Sequence, residues 1–490
     1  MLLLGTAGVF TGAFASLSMK APYHAKFVVT GDVQNVFDVD SFSGFRTYTA
    51  VRDGKSYKSL LLSDLIDLSK PYSDENMIVL EGDDGLIAEV DAKSMDGMYI
   101  TYTAENAWEL INYYHPPSSN IKRLAAVRVI ARNEQKDQMQ TIAGAVNIIA
   151  QNKNIASITP GQFFMNVTNA APVFEGESVK TSGKGNYSVA VYTERRFEDV
   201  AAFAPEAVDL LIMGDDGQYS YDASPGRIEL QNIYANSLSY LFSDGRTRMN
   251  KVRGILVDPP TASIMDAYQE SVNYINNGSR VLVFLVDGLG YNQYTYAEKN
   301  GFVPFLGTKT VKQATTVYQP VTNSGLAAML TGQPPYKNGV YDRDFKDLKV
   351  NDIFSIVSAA GKTSAYIEGN IKILNTSIEP TLNADLNGDG STDPEVFGSA
   401  QISVASDADF IFVHFHGVDD MGHKYGDIND EVMAKIKEID GYIQRLTRNF
   451  SGRVIVTADH GMHKTADGGD HGVFRFEDMI VPYISFGVSF

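Results

Sequence analysis

Residues Val281–Gly290 read VLVFLVDGLG, and this stretch decides the fold. The apolar residues Val281 to Val286 run without interruption into Asp287 and then into Gly288 and Gly290. An unbroken apolar run of this length predicts a strand buried on both faces of a parallel sheet. A carboxylate at the end of such a strand is costly unless something pairs it. In open α/β sheets, ligands collect beyond the carboxyl ends of the strands. Asp287 is therefore a candidate metal or catalytic carboxylate. A turn-forming or helix-capping Asp is the competing reading, and the residues downstream weigh against it.

Composition bounds the answer. A chain of 490 residues exceeds one ordinary core, so two or three domains are expected. The formal net charge of −18 argues against a nucleic-acid polymer or an anionic membrane surface as partner. A small anionic substrate stays open, because bound divalent cations would invert the local field. The chain has no cysteine, which excludes disulfides, thiolate metal sites and a Cys nucleophile. Residues 1–20 begin MLLLGTAGVFTGAFA, and Ala13-Phe14-Ala15 fits a signal-peptide cleavage site, although the positive n-region is missing. A clipped signal peptide, and with it a secreted or cell-surface location, is the expectation. No later segment reaches about 18 consecutive apolar residues, so no transmembrane segment is expected.

Two β-rich modules are expected ahead of the VLVFLVDGLG domain, over residues 21–150 and 151–260. In the first, Lys26–Gly31, Met77–Gly82 and Leu124–Ala131 read as strands, and Ser59–Leu68 as a short amphipathic helix. In the second, Leu210–Gly214 and Lys251–Val257 read as strands, and Phe197–Ala204 occupies the place of the helix. NMIVLEGDDG matches DLLIMGDDG, and KRLAAVRVIA matches MNKVRGILVD, which suggests duplication. The layout weakly resembles the ligand-holding domain of sulfite-oxidase-like molybdopterin proteins. Without that family's metal-binding Cys, no molybdenum chemistry follows, and the ligand of these modules stays unassigned.

Asp258-Pro259-Pro260-Thr261 breaks regular structure and marks a boundary. A short helix is expected at Ala267–Ile275. From about residue 270 to 490, strands and helices alternate. Strands are expected at Lys362–Glu368, Asp409–His416, Val454–Asp459 and Val481–Phe486. Helices are expected at Ser324–Leu330, Ile353–Ala359 and Ile428–Phe450. In the last, Val432, Ile436, Ile439, Ile443 and Leu446 form one apolar stripe. The fold class this implies is α/β, a mainly parallel sheet with helices on both faces.

The chemistry-bearing residues cluster. Of eight histidines, all but two lie between His414 and His471. Asp419 precedes His423 by one helical turn, Asp459 adjoins His460 at a strand end, and His471 lies in GGDHG. Carboxylate plus neutral imidazole is the ligand set of zinc and similar divalent ions. Thr322-Asn323-Ser324 opens a short apolar helix. Thr322 or Ser324 reads equally as an N-cap or as an oxygen nucleophile favoured by the helix dipole. A metal ion within reach would lower the hydroxyl's pKa.

This ordered set, VDGLG, then Thr322 nine residues before Thr331-Gly332, then D-x-x-G-H, D-H-G-M and G-D-H-G, resembles the alkaline phosphatase superfamily. The nearest branch is the type I phosphodiesterase and nucleotide pyrophosphatase group, over about residues 278–490. The resemblance implies a small phosphoester substrate and two divalent metal ions, zinc by ligand type, roughly 4 Å apart. Asp287, Asp459 and His460 would hold one, bridged by Thr322 as nucleophile; Asp419, His423 and His471 would hold the other. Asp420 is the rival to Asp419, and the spacing to His423 favours Asp419.

The phosphodiesterase branch carries an Asn after its TG motif, where this chain has Arg343; an Arg there could clamp phosphate bidentately or be a surface charge. Asn323 is the second candidate substrate contact, through its backbone N–H. The missing Asn leaves monoesterase and diesterase both open. Separately, Asp385, Asn387, Asp389, Ser391 and Asp393 match the ligand positions of a calcium-binding loop, with Glu395 one residue early for the usual final ligand. The reading is a two-metal phosphoester hydrolase working through a phosphothreonine. Its rival is a non-catalytic surface binding protein that keeps a metallated phosphatase-like scaffold.

Overall fold

The computed structural model describes residues 25–132, 142, 144–164, 169–182, 185–230 and 236–489. The signal-peptide expectation on residues 1–20 lies outside the described residues. Val281–Val286 is an interior strand of an eight-stranded sheet, and all of its side chains are buried. It pairs in parallel with Phe410–Phe415 on one side and Gly452–Thr457 on the other. Ser364–Glu368 pairs in parallel with the outer side of Phe410–Phe415. These four strands therefore end at the same sheet edge, and that edge carries the candidate site.

One strand runs the other way. Ile480–Val488 is antiparallel and lies inside the sheet, between Gly452–Thr457 and Val311–Thr315. The sheet is thus mainly parallel, as the alternation of elements implies.

Two mutually packed sets of helices cover it. Asp266–Asn276, Thr322–Thr331 and Ile353–Ala359 form one set; Tyr291–Lys299, Asp393–Ala405, Gly417–Tyr425 and Asp430–Arg448 form the other. The long helix Asp430–Arg448 buries Val432, Ile436, Ile439, Ile443 and Leu446, which recur at helical spacing. It starts where the Asn429 side chain accepts the Glu431 N–H.

Contact clustering separates two compact units. One comprises the described residues of Met1–Val29, with Phe37–Ser69 and Ile78–Val127; the other comprises Thr30–Val36, Lys70–Met77 and Arg128–Phe490. Two five-stranded sheets ahead of the C-terminal domain share one strand order. In the first it is Phe37–Val39, Phe27–Gly31, Leu124–Ala131, Asn76–Gly82, Ile87–Asp91. In the second it is Lys153–Ile158, Val146–Ala150, Val252–Val257, Leu210–Gly214, Tyr219–Asp222. The second sheet takes Val146–Ala150 from before residue 151.

Two local expectations are corrected. Ser59–Leu68 is not one helix: strand Lys55–Leu61 passes directly into helix Leu62–Ser69. Phe197–Ala204 holds the end of strand Gly185–Asp199 and a single 3-10 turn, Val200–Ala202. In both places pairing with a strand distant in sequence, Met98–Thr103 in the first and Arg227–Leu230 in the second, extends the strand past the point where the side-chain pattern turns helical.

Candidate active site

The sheet edge brings distant residues together. Asp287 leaves the Val281–Val286 strand and is 3% exposed. Gly288 follows at φ +72°, and a Cβ there would fall 2.9 Å from Asp419 Cα. Only glycine fits both the backbone angle and that approach. Asp459 and His460 follow strand Gly452–Thr457, and both are fully buried. Asp419 and His423 sit one turn apart on helix Gly417–Tyr425, which starts just after strand Phe410–Phe415.

Two groups form, each able to offer three ligand atoms within a few ångströms. One is Asp287, Asp459 and His460; the other is Asp419, His423 and His471. His460 Nε2 lies 3.3 Å from Asp287 Oδ1 and 3.6 Å from Asp459 Oδ2. His423 Nε2 lies 3.3 Å from Asp419 Oδ2, and His471 Nε2 lies 3.6 Å from Asp419 Oδ1. Asp420, the rival, is an exposed residue on the same helix.

Three features fit these groups to cations. First, each imidazole is anchored by its other nitrogen to a backbone carbonyl: His460 Nδ1 at 2.9 Å from Gly461 O, His423 Nδ1 at 3.1 Å from Gly469 O, His471 Nδ1 at 3.0 Å from Pro320 O. Donation from Nδ1 leaves the Nε2 lone pair facing the carboxylates, the arrangement of a metal-ligating histidine. Second, Asp287 Oδ1, Asp419 Oδ1 and Asp459 Oδ2 are buried without a hydrogen-bond partner. Buried carboxylate oxygens of this kind need a counter-charge. Third, the ionisations are strained without one. Burial and the adjacent Asp287 carboxylate push Asp459 up to about 7. Burial opposes a charged His460, yet Asp459 and Asp287 lift it to about 10. Burial, reinforced by the charge of His460, holds His471 down at about 3, so its ring stays neutral.

Thr322 begins helix Thr322–Thr331, and its Oγ1 lies 3.3 Å from His460 Nε2. Ser324, the other hydroxyl of this turn, is fully buried, with its Oγ inside the helix packing. Of these two hydroxyls, Thr322 is the one that is partly exposed and touches a site residue. Gly325 is where the helix meets the sheet: a Cβ there would fall 2.5 Å from Asp459 O. Asn323 spends its side chain on a neighbouring loop. Its Nδ2 donates to Phe345 O at 2.9 Å and Arg343 O at 3.3 Å, so it pins the loop that carries Arg343. Arg343 reaches back from that exposed loop, with Nη2 2.8 Å from His471 Nε2.

The residues of the candidate calcium loop are held by hydrogen bonds within it and to its neighbours. Asp385 accepts from Gly388 N–H at 2.7 Å and Gly390 N–H at 2.9 Å. Asp393 is fully buried and accepts from the His416 N–H at 2.9 Å and the Gly417 N–H at 3.1 Å. Among the described residues, none of the candidate metal groups includes a residue of this loop.

The remaining histidines divide. His463 pairs with buried Asp478 at 2.8 Å and has no further role here. His414 and His416 join Asp287 in a further potential ligand group. Glu368, at the end of strand Ser364–Glu368, stands behind both, 2.9 Å from His414 Nδ1 and 2.5 Å from His416 Nε2. Sequence reasoning did not find Glu368. Its signal was available, since Glu368-Gly369 closes a strand as Asp287-Gly288 does.

Residues 281–483 match the family model described as type I phosphodiesterase / nucleotide pyrophosphatase. This C-terminal region, less than half of the chain, is similar to that family. The catalytic subunit of GPI ethanolamine phosphate transferase 3 from Homo sapiens is 38% identical over 66 residues, 13% of this chain and 6% of that protein. The same subunit from Mus musculus matches at 38% over 66 residues. The chain thus aligns with a small fraction of the length of these curated relatives. Among solved structures, phosphonoacetate hydrolase from Sinorhizobium meliloti 1021 is 19% identical, covering 38% of this chain and 57% of that one, with a TM-score of 0.31. Human ectonucleotide pyrophosphatase / phosphodiesterase 5 is 20% identical, covering 38% and 58%, also at a TM-score of 0.31. No helix among the described residues is long and apolar enough to cross a membrane.

Proposed function

We propose that the chain is a metal-dependent hydrolase of small phosphoesters in which Thr322 is the nucleophile. The observation that carries this reading is the convergence of Thr322 Oγ1, at 3.3 Å from His460 Nε2, on a sheet edge with two carboxylate–imidazole groups. Asp287, Asp459, His460 and Thr322 would hold one cation, and Asp419, His423 and His471 the other. When bound, the cations supply positive charge that stabilises a phosphoryl transition state and favours ionised oxygen nucleophiles. Zinc suits the mixed nitrogen and oxygen donors.

The chain's own residues do the rest. Helix Thr322–Thr331 aims its first-turn N–H groups at the point where phosphoryl oxygens would sit, and these groups have no intrahelical partner. Arg343 extends over the same space and offers a planar, two-pronged donor to phosphate. Asn323 fixes the Arg343 loop from the first turn of the helix. In the reaction, a bond forms from Thr322 Oγ1 to phosphorus while the bond to the leaving oxygen breaks. The leaving alcohol departs with that electron pair and a proton. Water then cleaves the phosphothreonine, releasing the phosphate product and restoring the hydroxyl. An extracytoplasmic location belongs to the same proposal and rests on the A-x-A pattern at Ala13-Phe14-Ala15.

Turnover of p-nitrophenyl phosphate and of bis-p-nitrophenyl phosphate, each with added zinc, tests the activity and separates monoester from diester hydrolysis. Thr322→Ala is expected to abolish turnover with metal content unchanged from wild type, while Ser324→Ala stays active. Full activity in Thr322→Ala would reject Thr322 as the nucleophile. Absence of turnover in the wild type on a broad phosphoester panel would favour the non-catalytic binding protein.

A further inference from the structure

The second five-stranded sheet belongs to the same compact unit as the C-terminal domain, and it packs beside the site. Its edge strand Lys153–Ile158 carries Asn154. Asn154 Oδ1 accepts the Phe476 N–H at 2.8 Å, and Asn154 Nδ2 donates to Glu477 Oε2 at 2.9 Å. The same Glu477 oxygen accepts from Arg475 Nε at 2.9 Å. One amide group thus fixes both a backbone N–H and a side chain at the start of the short helix Phe476–Met479. Apolar packing supports these bonds. Leu211, Met213 and Leu256 of the sheet share one buried core with Phe474, Phe476 and Met479. Gly254, in strand Val252–Val257, lies against the Phe474 ring, and a Cβ there would overlap it.

That helix abuts the turns that carry the candidate ligands. Asp478 is fully buried, and its Oδ2 accepts the Val473 N–H at 3.0 Å, two residues after His471. Asp478 O accepts the Gly461 N–H at 2.9 Å, and Gly461 O in turn holds His460 Nδ1 at 2.9 Å. Glu477 O lies against two glycines. A Cβ on Gly461 would collide with it, and a Cβ on Gly290, three residues after Asp287, would fall 2.8 Å from it. One short helix is therefore in contact with the turns that follow Asp287, His460 and His471. A helix of this length has little stability of its own, so its docking contacts set its place.

We propose that Asn154 is a positioning residue for both cation groups. It locks helix Phe476–Met479 against the turns of His460 and His471, which makes the second sheet part of the support of the site. The inference rests on the two-cation reading and deepens it. Asn154 lies outside residues 281–483, the region that the family model matches, so this support comes from a part of the chain beyond the family resemblance.

The test is the zinc affinity of the full chain, measured by chelator competition, beside its urea unfolding curve in the metal-free state. Asn154→Ala removes both bonds and should weaken zinc binding by about tenfold, the lower end of the effect of losing a group that orients a ligand. Asn154→Asp keeps the acceptor for the Phe476 N–H but sets a carboxylate against Glu477, and should weaken zinc by at least as much. Asn154→Asp combined with Glu477→Gln reverses donor and acceptor across the pair and should restore the wild-type affinity. Lys153→Ala, exposed on the same strand, should leave it unchanged. A merely structural Asn154 would lower the urea midpoint and leave the zinc affinity of the folded chain at its wild-type value; that result would overturn the proposal. So would a double exchange that fails to restore the affinity. If Asn154→Ala does not fold, the single and double exchanges decide. A wild-type chain that binds fewer than two zinc ions would instead overturn the two-cation reading, and the proposal with it.

Discussion

Gly325 sits in the helix that carries Thr322, and Gly325→Ala probes how tightly the nucleophile is fixed. Two opposing effects set the outcome. Alanine in a helix interior is better than glycine by about 1 kcal/mol. Against that, the new Cβ would fall 2.5 Å from Asp459 O, 2.6 Å from Asp459 Cβ and 2.9 Å from Asp459 C. These atoms lie just beyond the end of an interior strand, and Asp459 O also accepts the Thr316 hydroxyl. They cannot move aside as a flexible side chain would. The helix must instead lift by roughly 0.5–1 Å, and overpacking of this kind costs about 1–3 kcal/mol. Net destabilisation is small, from about zero to about 2 kcal/mol, because the helix gain offsets part of the clash. Activity is the sensitive readout, since a displacement near 1 Å costs on the order of 10²-fold. The assay is kcat on p-nitrophenyl phosphate esters beside the thermal unfolding curve. Gly441→Ala is the control: it lies in helix Asp430–Arg448, and a Cβ there meets nothing within 4 Å. It should gain up to about 1 kcal/mol with kcat unchanged. Wild-type kcat in Gly325→Ala would refute the idea that this helix–strand contact positions Thr322.

Arg343→Ala should lower kcat/KM by about tenfold to about a hundredfold, the range of one charge-assisted hydrogen-bonded contact of about 1.5–3 kcal/mol, with Arg343→Lys recovering only part. Unchanged kcat/KM would return Arg343 to the status of a surface charge. Asp32 offers a pH test away from the site. It accepts the Ala131 N–H at 2.9 Å, the Thr159 hydroxyl at 2.9 Å and the Gly161 N–H at 2.8 Å. Burial outweighs these bonds and raises its carboxyl from 3.8 to about 6. The folded state thus holds the proton more strongly than the unfolded state, so this contribution is complete below about pH 4 and is lost as pH rises through about 6. At about 1.4 kcal/mol per pH unit the loss is about 3 kcal/mol. In denaturant melts, the stability at pH 4 minus that at pH 7 should be lower for Asp32→Asn than for wild type, by up to about 3 kcal/mol; an equal value would contradict the assignment.

Much of the C-terminal domain was legible because its strands are buried on both faces and its helices are striped. Val281–Val286 and Ile353–Ala359 are bounded in the structure where the side-chain pattern bounds them. The error at Ser59–Leu68 has a physical cause. Leu60, Leu61 and Leu62 cross from strand to helix without a turn residue, so no local signal marks the change. Orientation was equally silent for Ile480–Val488. An apolar strand reads the same in either direction, and only its two neighbours make it antiparallel.

By itself the sequence determined which residues could do chemistry: a strand-end Asp287, an Asp419–His423 helical turn, an Asp459-His460 pair and a hydroxyl at a helix start. Ligand type follows from composition, and helical or strand placement from local pattern. Tertiary structure alone decided what those side chains share. It divided the Asp287 carboxylate between His460 and the His414–His416 pair, tied the Asn323 side chain to the Arg343 loop, and set Glu368 behind two imidazoles. Those outcomes depend on strand register, in which Ile367 lies beside Val413 and Leu285 beside His414. Register is fixed by packing between strands far apart in the chain, and no local stretch encodes it.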